Sequence, residues 1–141
     1  MKTHNVRIIF TSRTAEDMAP ATRSVVDGRL GEGAAGLYLF FSDTVAGAGD
    51  VKYTIKIGPD EALLRRSGIL ALRQPLFLGK RVAGSCVLPA GPVGTQAVAE
   101  KIDGSWDSGS ATGTASLVYE LSLQGQYAGK FYLDFHFAAR D

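Results

Sequence analysis

From Lys130 to Phe137 every second residue is apolar: Phe131, Leu133, Phe135 and Phe137 alternate with Lys130, Tyr132, Asp134 and His136. A period of two sends successive side chains to opposite faces, so this segment reads as a strand with one face in a core. The run before it repeats the pattern, with Leu117, Tyr119, Leu121 and Leu123 set against Ser116, Val118, Glu120 and Ser122. The polar link Gln124-Gly125-Gln126 then joins the two as a hairpin. Val51, Tyr53, Ile55 and Ile57 alternate in the same way, and Gly58-Pro59-Asp60 supplies a turn before a further strand from Ala62 to Arg66.

The same pattern predicts strands at Val6 to Thr14, Ala21 to Leu30, Leu37 to Ser42, Leu70 to Phe77, Arg81 to Leu88 and Thr95 to Ile102. About ten strands joined by short links, with no convincing helix, need protection for their edges. Closing the sheet on itself removes edges altogether, so the expectation is an all-β, closed antiparallel meander barrel of 8–10 strands, lipocalin (calycin)-like. A two-layer sandwich is the runner-up, disfavoured because sandwiches usually need longer Greek-key crossings. The alternation lapses at Ala15 to Pro20, where a short helical turn fits, and at Ser105 to Thr112, a Gly/Ser/Thr-rich stretch around Trp106 that reads as a mobile loop. With 141 residues and glycines scattered between apolar runs, residues 1–141 are expected to form one domain.

The block TIKIGPDEALLRRSG (54–68), LALRQPLFLGKRVAG (70–84) and LPAG (88–91), with the late hairpin LVYELSLQGQYAG (117–129), resembles the YwiB-like bacterial domain-of-unknown-function family. The recognisable pieces are Arg66-Ser67-Gly68, Arg73-Gln74 and Gly79-Lys80-Arg81. The resemblance implies a calycin-like barrel and carries no biochemical activity with it. In that family the stretch matching Cys86 to Gly91 usually reads Tyr, any residue, Thr, Pro, an aromatic, Gly. Here it is Cys86, Val87, Leu88, Pro89, Ala90 and Gly91, so three polar or aromatic side chains have become apolar or small.

Two histidines and one cysteine are too few for a closed tetrahedral zinc site, and no cofactor motif is present. His136 falls out of phase with the phenylalanine face and should meet solvent, while His4 reads as a frayed strand end. Cys86 shares a face with Val82, Gly84 and Leu88, as a small buried hydrophobe would. Glu16-Asp17, Asp60-Glu61 and Asp103 with Asp107 fall in expected turns, where Asp has local backbone reasons to occur. No catalytic residue is assigned, although a site assembled from distant strands leaves no motif to read. The single cysteine and the lack of a signal-peptide core point to the cytoplasm, and no apolar run approaches the roughly 20 residues of a membrane helix.

Charge is nearly balanced, 15 Lys and Arg against 14 Asp and Glu, which argues against nucleic acid or a membrane surface as a partner. One local feature departs from that balance. Between Ala62 and Ala99 there is no acid, yet Arg65, Arg66, Arg73, Lys80 and Arg81 fall there. Arg66 shares parity with Ala62 and Leu64 and is the candidate inward arginine, needing a carboxylate, carbonyls or an anionic ligand as partner. The leading expectation is a non-catalytic binder of a small hydrophobic or anionic molecule, with Arg66, Arg73, Tyr53 and Tyr119 as candidate ligand-binding residues. The alternative is a ligand-free interaction or self-assembly scaffold, in which the outward aromatics Tyr38, Phe40 and Tyr132 mark a homodimer contact.

Overall fold

A computed structural model describes residues 1–15, 21–45, 49–68 and 71–140. Ten strands follow one another: β1 (Lys2–Thr14), β2 (Thr22–Gly33), β3 (Gly36–Val45), β4 (Gly49–Ile57), β5 (Glu61–Gly68), β6 (Leu72–Phe77), β7 (Arg81–Leu88), β8 (Gly91–Asp107), β9 (Thr112–Leu123) and β10 (Gln126–Ala139). Each pairs antiparallel with its sequence neighbours, and β1 closes the ring on β10 from Val6↔Ala139 to Thr14↔Phe131. The expected closed meander barrel is therefore the observed fold. The helical turn expected near Ala15 to Pro20 falls on residues 16–20, outside the described residues, as does Leu70 at the start of the expected sixth strand. Among the described residues no helix is long and apolar enough to cross a membrane.

The β9–β10 hairpin turns on Gln124 and Gly125, both with positive φ (51° and 80°), the conformation whose twist matches the flanking strands. The inward faces form one core: Val6 and Ile8 from β1, Leu30, Leu39, Ile55, Leu76, Leu117 and Phe135 are almost wholly buried. Removing that apolar surface from water is the main favourable term for a barrel of this size.

The main correction concerns the stretch read as a mobile loop. β8 runs on through Ser105 to Asp107, β9 already begins at Thr112, and only residues 108–111 turn between them. The pairing of β8 with β9 shifts register between Ala99 and Lys101. That bulge moves the inward parity from Ala97 and Ala99 to Ile102, Gly104 and Trp106. Two inward positions here are glycines because rings and branched chains fill their space. A Cβ on Gly113 would occupy the Phe137 ring, and one on Gly104 would lie 2.9 Å from Ile57 Cγ2.

The weakest seam in the ring lies between β6 and β7, which register only at Leu72↔Cys86 and Arg73↔Ser85. Pro75 has no N–H to offer there. The side chain of Gln74, 1% exposed, bridges the gap: Nε2 donates to the carbonyls of Val82 (3.2 Å) and Pro75 (2.8 Å), and Oε1 accepts from Thr95 Oγ1. Gly84 passes beside this knot, its missing Cβ leaving room for Arg73 O, Gln74 Oε1 and Thr95 Oγ1.

Candidate functional site

The two ends of the barrel are built differently. At one end Trp106 stacks on Phe137 with centroids 6.0 Å apart, and His4 lies 5.0 Å from the Trp106 ring. His4 Nε2 and Glu32 Oε2 meet at 2.8 Å, so His4 is a partly buried, paired residue of β1 and not the frayed strand end expected. The Trp106 indole N–H is buried with no hydrogen-bond partner among the described residues. Stacked rings occupy this end.

At the opposite end the interior opens into a cavity of about 290 Å³. Its apolar walls come from Phe10 of β1, Ile55 of β4, Leu64 of β5, Leu72 of β6, Leu121 of β9 and Phe131 of β10. Phe10 lies flat on Phe135 (4.8 Å, 3°) and edge-on to Tyr53 (5.9 Å), while Tyr53 stacks on Phe41 (4.8 Å, 15°). Tyr119 and Phe131 stack at 5.5 Å on another side. These ring pairs hold one another in place, which gives the cavity a fixed shape.

Three of the four sequence candidates meet in this cavity. Arg66 enters from β5 as its parity with Ala62 and Leu64 requires, and its guanidinium carbon lies 5.9 Å from the centre of the Tyr53 ring. Tyr53 is the cross-strand partner of Arg66. Tyr119 also lines the space, and burial pushes its phenol well above the ordinary tyrosine range, the nearby Arg66 charge opposing that shift and Tyr53 adding to it. The phenol therefore stays protonated and can donate a hydrogen bond to a guest. Cys86 also reaches the cavity, half-buried where a buried hydrophobe was expected; of the three departures from the family pattern it is the one lining this space.

Arg73 does not join them. It pairs with Arg65 across β5 and β6, and both point to the outer wall, because β6 turns Leu72, Gln74 and Leu76 inward. Parity alone would have placed it there, and the same parity marks Gln74 as an inward polar residue, a position the reading for function passed over. His136 is exposed, as expected. A larger, open depression of about 580 Å³ lies on the outer wall beside Ile9, Thr112, Thr114 and His136. The interior cavity is the better candidate, since it reaches into the barrel and joins an apolar lining to guanidinium groups and two phenols.

The family model described as a domain of unknown function (DUF1934) matches residues 7–135. The crystal structure of ywiB protein from Bacillus subtilis shares the fold with a TM-score of 0.82 at 16% sequence identity, over 99% of this chain and 94% of that one. Among curated proteins none matches the sequence.

Proposed function

The chain belongs to the DUF1934 family of domains of unknown function, and from that premise we propose that it binds a small amphipathic anion, without catalysis, in the open end of its barrel. The observation that carries this reading is the Arg66 guanidinium, with Arg65 next to it, at a cavity whose other walls are mostly aliphatic and aromatic. Such a site offers two things at once: an apolar surface for a hydrocarbon body and a charged donor for an acidic head. A volume of about 290 Å³ equals roughly ten waters at their liquid volume, which suits a guest of about a dozen non-hydrogen atoms. Tyr53 and Tyr119 add hydroxyls that fix the head group.

The scaffold alternative draws less support. Its outward aromatics stand beside cations and so form no continuous apolar patch, with Arg13 3.8 Å from the Tyr132 ring centre, Arg29 5.9 Å from that of Phe40 and Lys56 5.9 Å from that of Tyr38.

Decanoate is a suitable probe, with decanol as its uncharged counterpart, both followed by titration calorimetry alongside native mass spectrometry of gently purified protein. Replacing Arg66 by Leu should weaken decanoate roughly ten- to hundredfold, the worth of one charge-assisted hydrogen bond, and leave decanol nearly unchanged. A protein that carries no small molecule and binds decanoate no better than decanol would refute the reading.

A further inference from the structure

The outer wall of the barrel carries a second pattern. One row of directly opposed residues crosses six strands: Arg29 of β2, Phe40 of β3, Thr54 of β4, Arg65 of β5, Arg73 of β6 and Ser85 of β7. Lys56 and Lys52 of β4 flank it, opposite Tyr38 and Ser42 of β3. Arg29, Lys52, Arg65 and Arg73 are exposed, and none of these five cations meets an acid within ion-pair distance among the described residues. Arg65 and Arg73 face each other directly. Like charges so placed repel and weaken the pairing of β5 with β6, so folding gives no reason for them.

On these strands Asp27 of β2 is paired with Arg7 and Arg140, and Asp50 of β4 and Glu61 of β5 lie outside the row. Asp103 of β8, Glu120 of β9 and Asp134 of β10 occupy the other side of the ring. The near-zero net charge thus hides a local row of cations, which total charge does not register. The sequence signal was the acid-free stretch from Ala62 to Ala99, which the fold brings beside Arg29, Lys52 and Lys56.

We propose that the outer wall of β2 to β7 is a docking track for single-stranded nucleic acid, with Arg29, Lys52, Lys56, Arg65 and Arg73 meeting phosphates and Phe40 and Tyr38 offering stacking platforms. Five strand spacings make the row about 24 Å long, enough for several nucleotides. An exposed guanidinium gains little from one isolated anion. A repeating polyanion matched to a row of cations gains from each contact and from the counterions released. The Phe40 and Tyr38 rings are parallel, 6.3 Å apart, and carry Arg29 and Lys56 over them. That interleaving of rings and cations suits bases and phosphates in alternation, and favours a nucleic acid strand over a lipid surface.

The test is fluorescence anisotropy of a labelled oligouridylate of about fifteen nucleotides, titrated with the full chain at several salt concentrations. With five phosphate contacts, log K should fall against log salt with a slope of about −3.5. The double variant R65E/R73E should weaken binding by roughly tenfold or more and flatten that slope by about 1.4. K101E, a matched charge reversal on β8, should change it less than about twofold, since Lys101 already has Asp103 at 3.8 Å. Circular dichroism checks that the variants are folded. Absence of an anisotropy change, or equal loss in K101E and R65E/R73E, overturns the proposal. So does binding that appears only to anionic phosphatidylserine vesicles, or only as salt-sensitive self-association in sedimentation. Arg65 also borders the interior cavity, so the companion variant R29E/R73E, neither of whose residues lines it, should weaken the oligouridylate to a similar degree while decanoate binding reports separately on that site.

Discussion

Replacing Gln74 by Leu tests the account of the β6–β7 seam. The amide makes three hydrogen bonds in a place with almost no water, to Val82 O, to Pro75 O and from Thr95 Oγ1. Leucine is close in size, so the cavity contribution is small. What changes is that the Thr95 hydroxyl, on a residue 3% exposed, and the Val82 carbonyl lose this partner. A buried polar group without a partner costs about 1–3 kcal/mol, and the extra apolar burial of leucine returns about 1 kcal/mol. The expected loss is about 3 kcal/mol in urea unfolding, with an unchanged m-value. Amide exchange should quicken in β6 and β7 before the β9–β10 hairpin. Adding Thr95→Val removes one orphaned group, so the double variant should be more stable than the sum of the singles by about 1–2 kcal/mol. A single variant that loses less than about 1 kcal/mol, or a double variant that is simply additive, would refute the claim that this amide closes the seam.

Tyr119 makes a pH prediction. Its phenol titrates higher in the folded protein than in the unfolded chain; above the ordinary value near 10 the unfolded state releases a proton that the folded state keeps. Stability is therefore full below about pH 10 and falls as pH rises beyond it, and Tyr119→Phe should flatten that alkaline fall in chemical denaturation. Gly113→Ala should destabilise by about 1–3 kcal/mol in the same assay, because the new methyl needs the space of the Phe137 ring. A neutral effect there would mean that Phe137 can move aside without loss.

Much of this fold is legible in period two because most strands keep one parity throughout. Phe131 to Phe137 and Leu117 to Leu123 can be read by eye, and Arg66 follows from Ala62 and Leu64 by counting. The reading fails where parity changes or where the inward residue has no side chain. In β8 the bulge between Ala99 and Lys101 shifts the inward set by one, and Gly104 and Gly113 are inward without being apolar in any obvious sense. A hydrophobic pattern cannot register a position whose contribution is an absence. Arg73 is a different case: charge and nearness in sequence group it with Arg66, although alternation assigns the two to opposite walls.

That separation of Arg66 from Arg73 bears on both proposed sites. A buried cation must be matched to a defined partner, because desolvation makes an unmatched one costly; an exposed cation loses little and gains little. Arg66, half-buried beside Tyr53, borders a cavity walled by stacked rings and suits one guest of fixed shape there. Arg65 and Arg73 suit a ligand that repeats its charge along the wall. The acid-free stretch of sequence supplies both because adjacent residues in a strand face opposite ways: Arg65 turns to solvent and Arg66 to the cavity. Exchanging the two by a one-residue slip of β5 would move Ala62 and Leu64 out of the core along with Arg66. The core packing that fixes β5 in register thus also fixes which arginine serves which site.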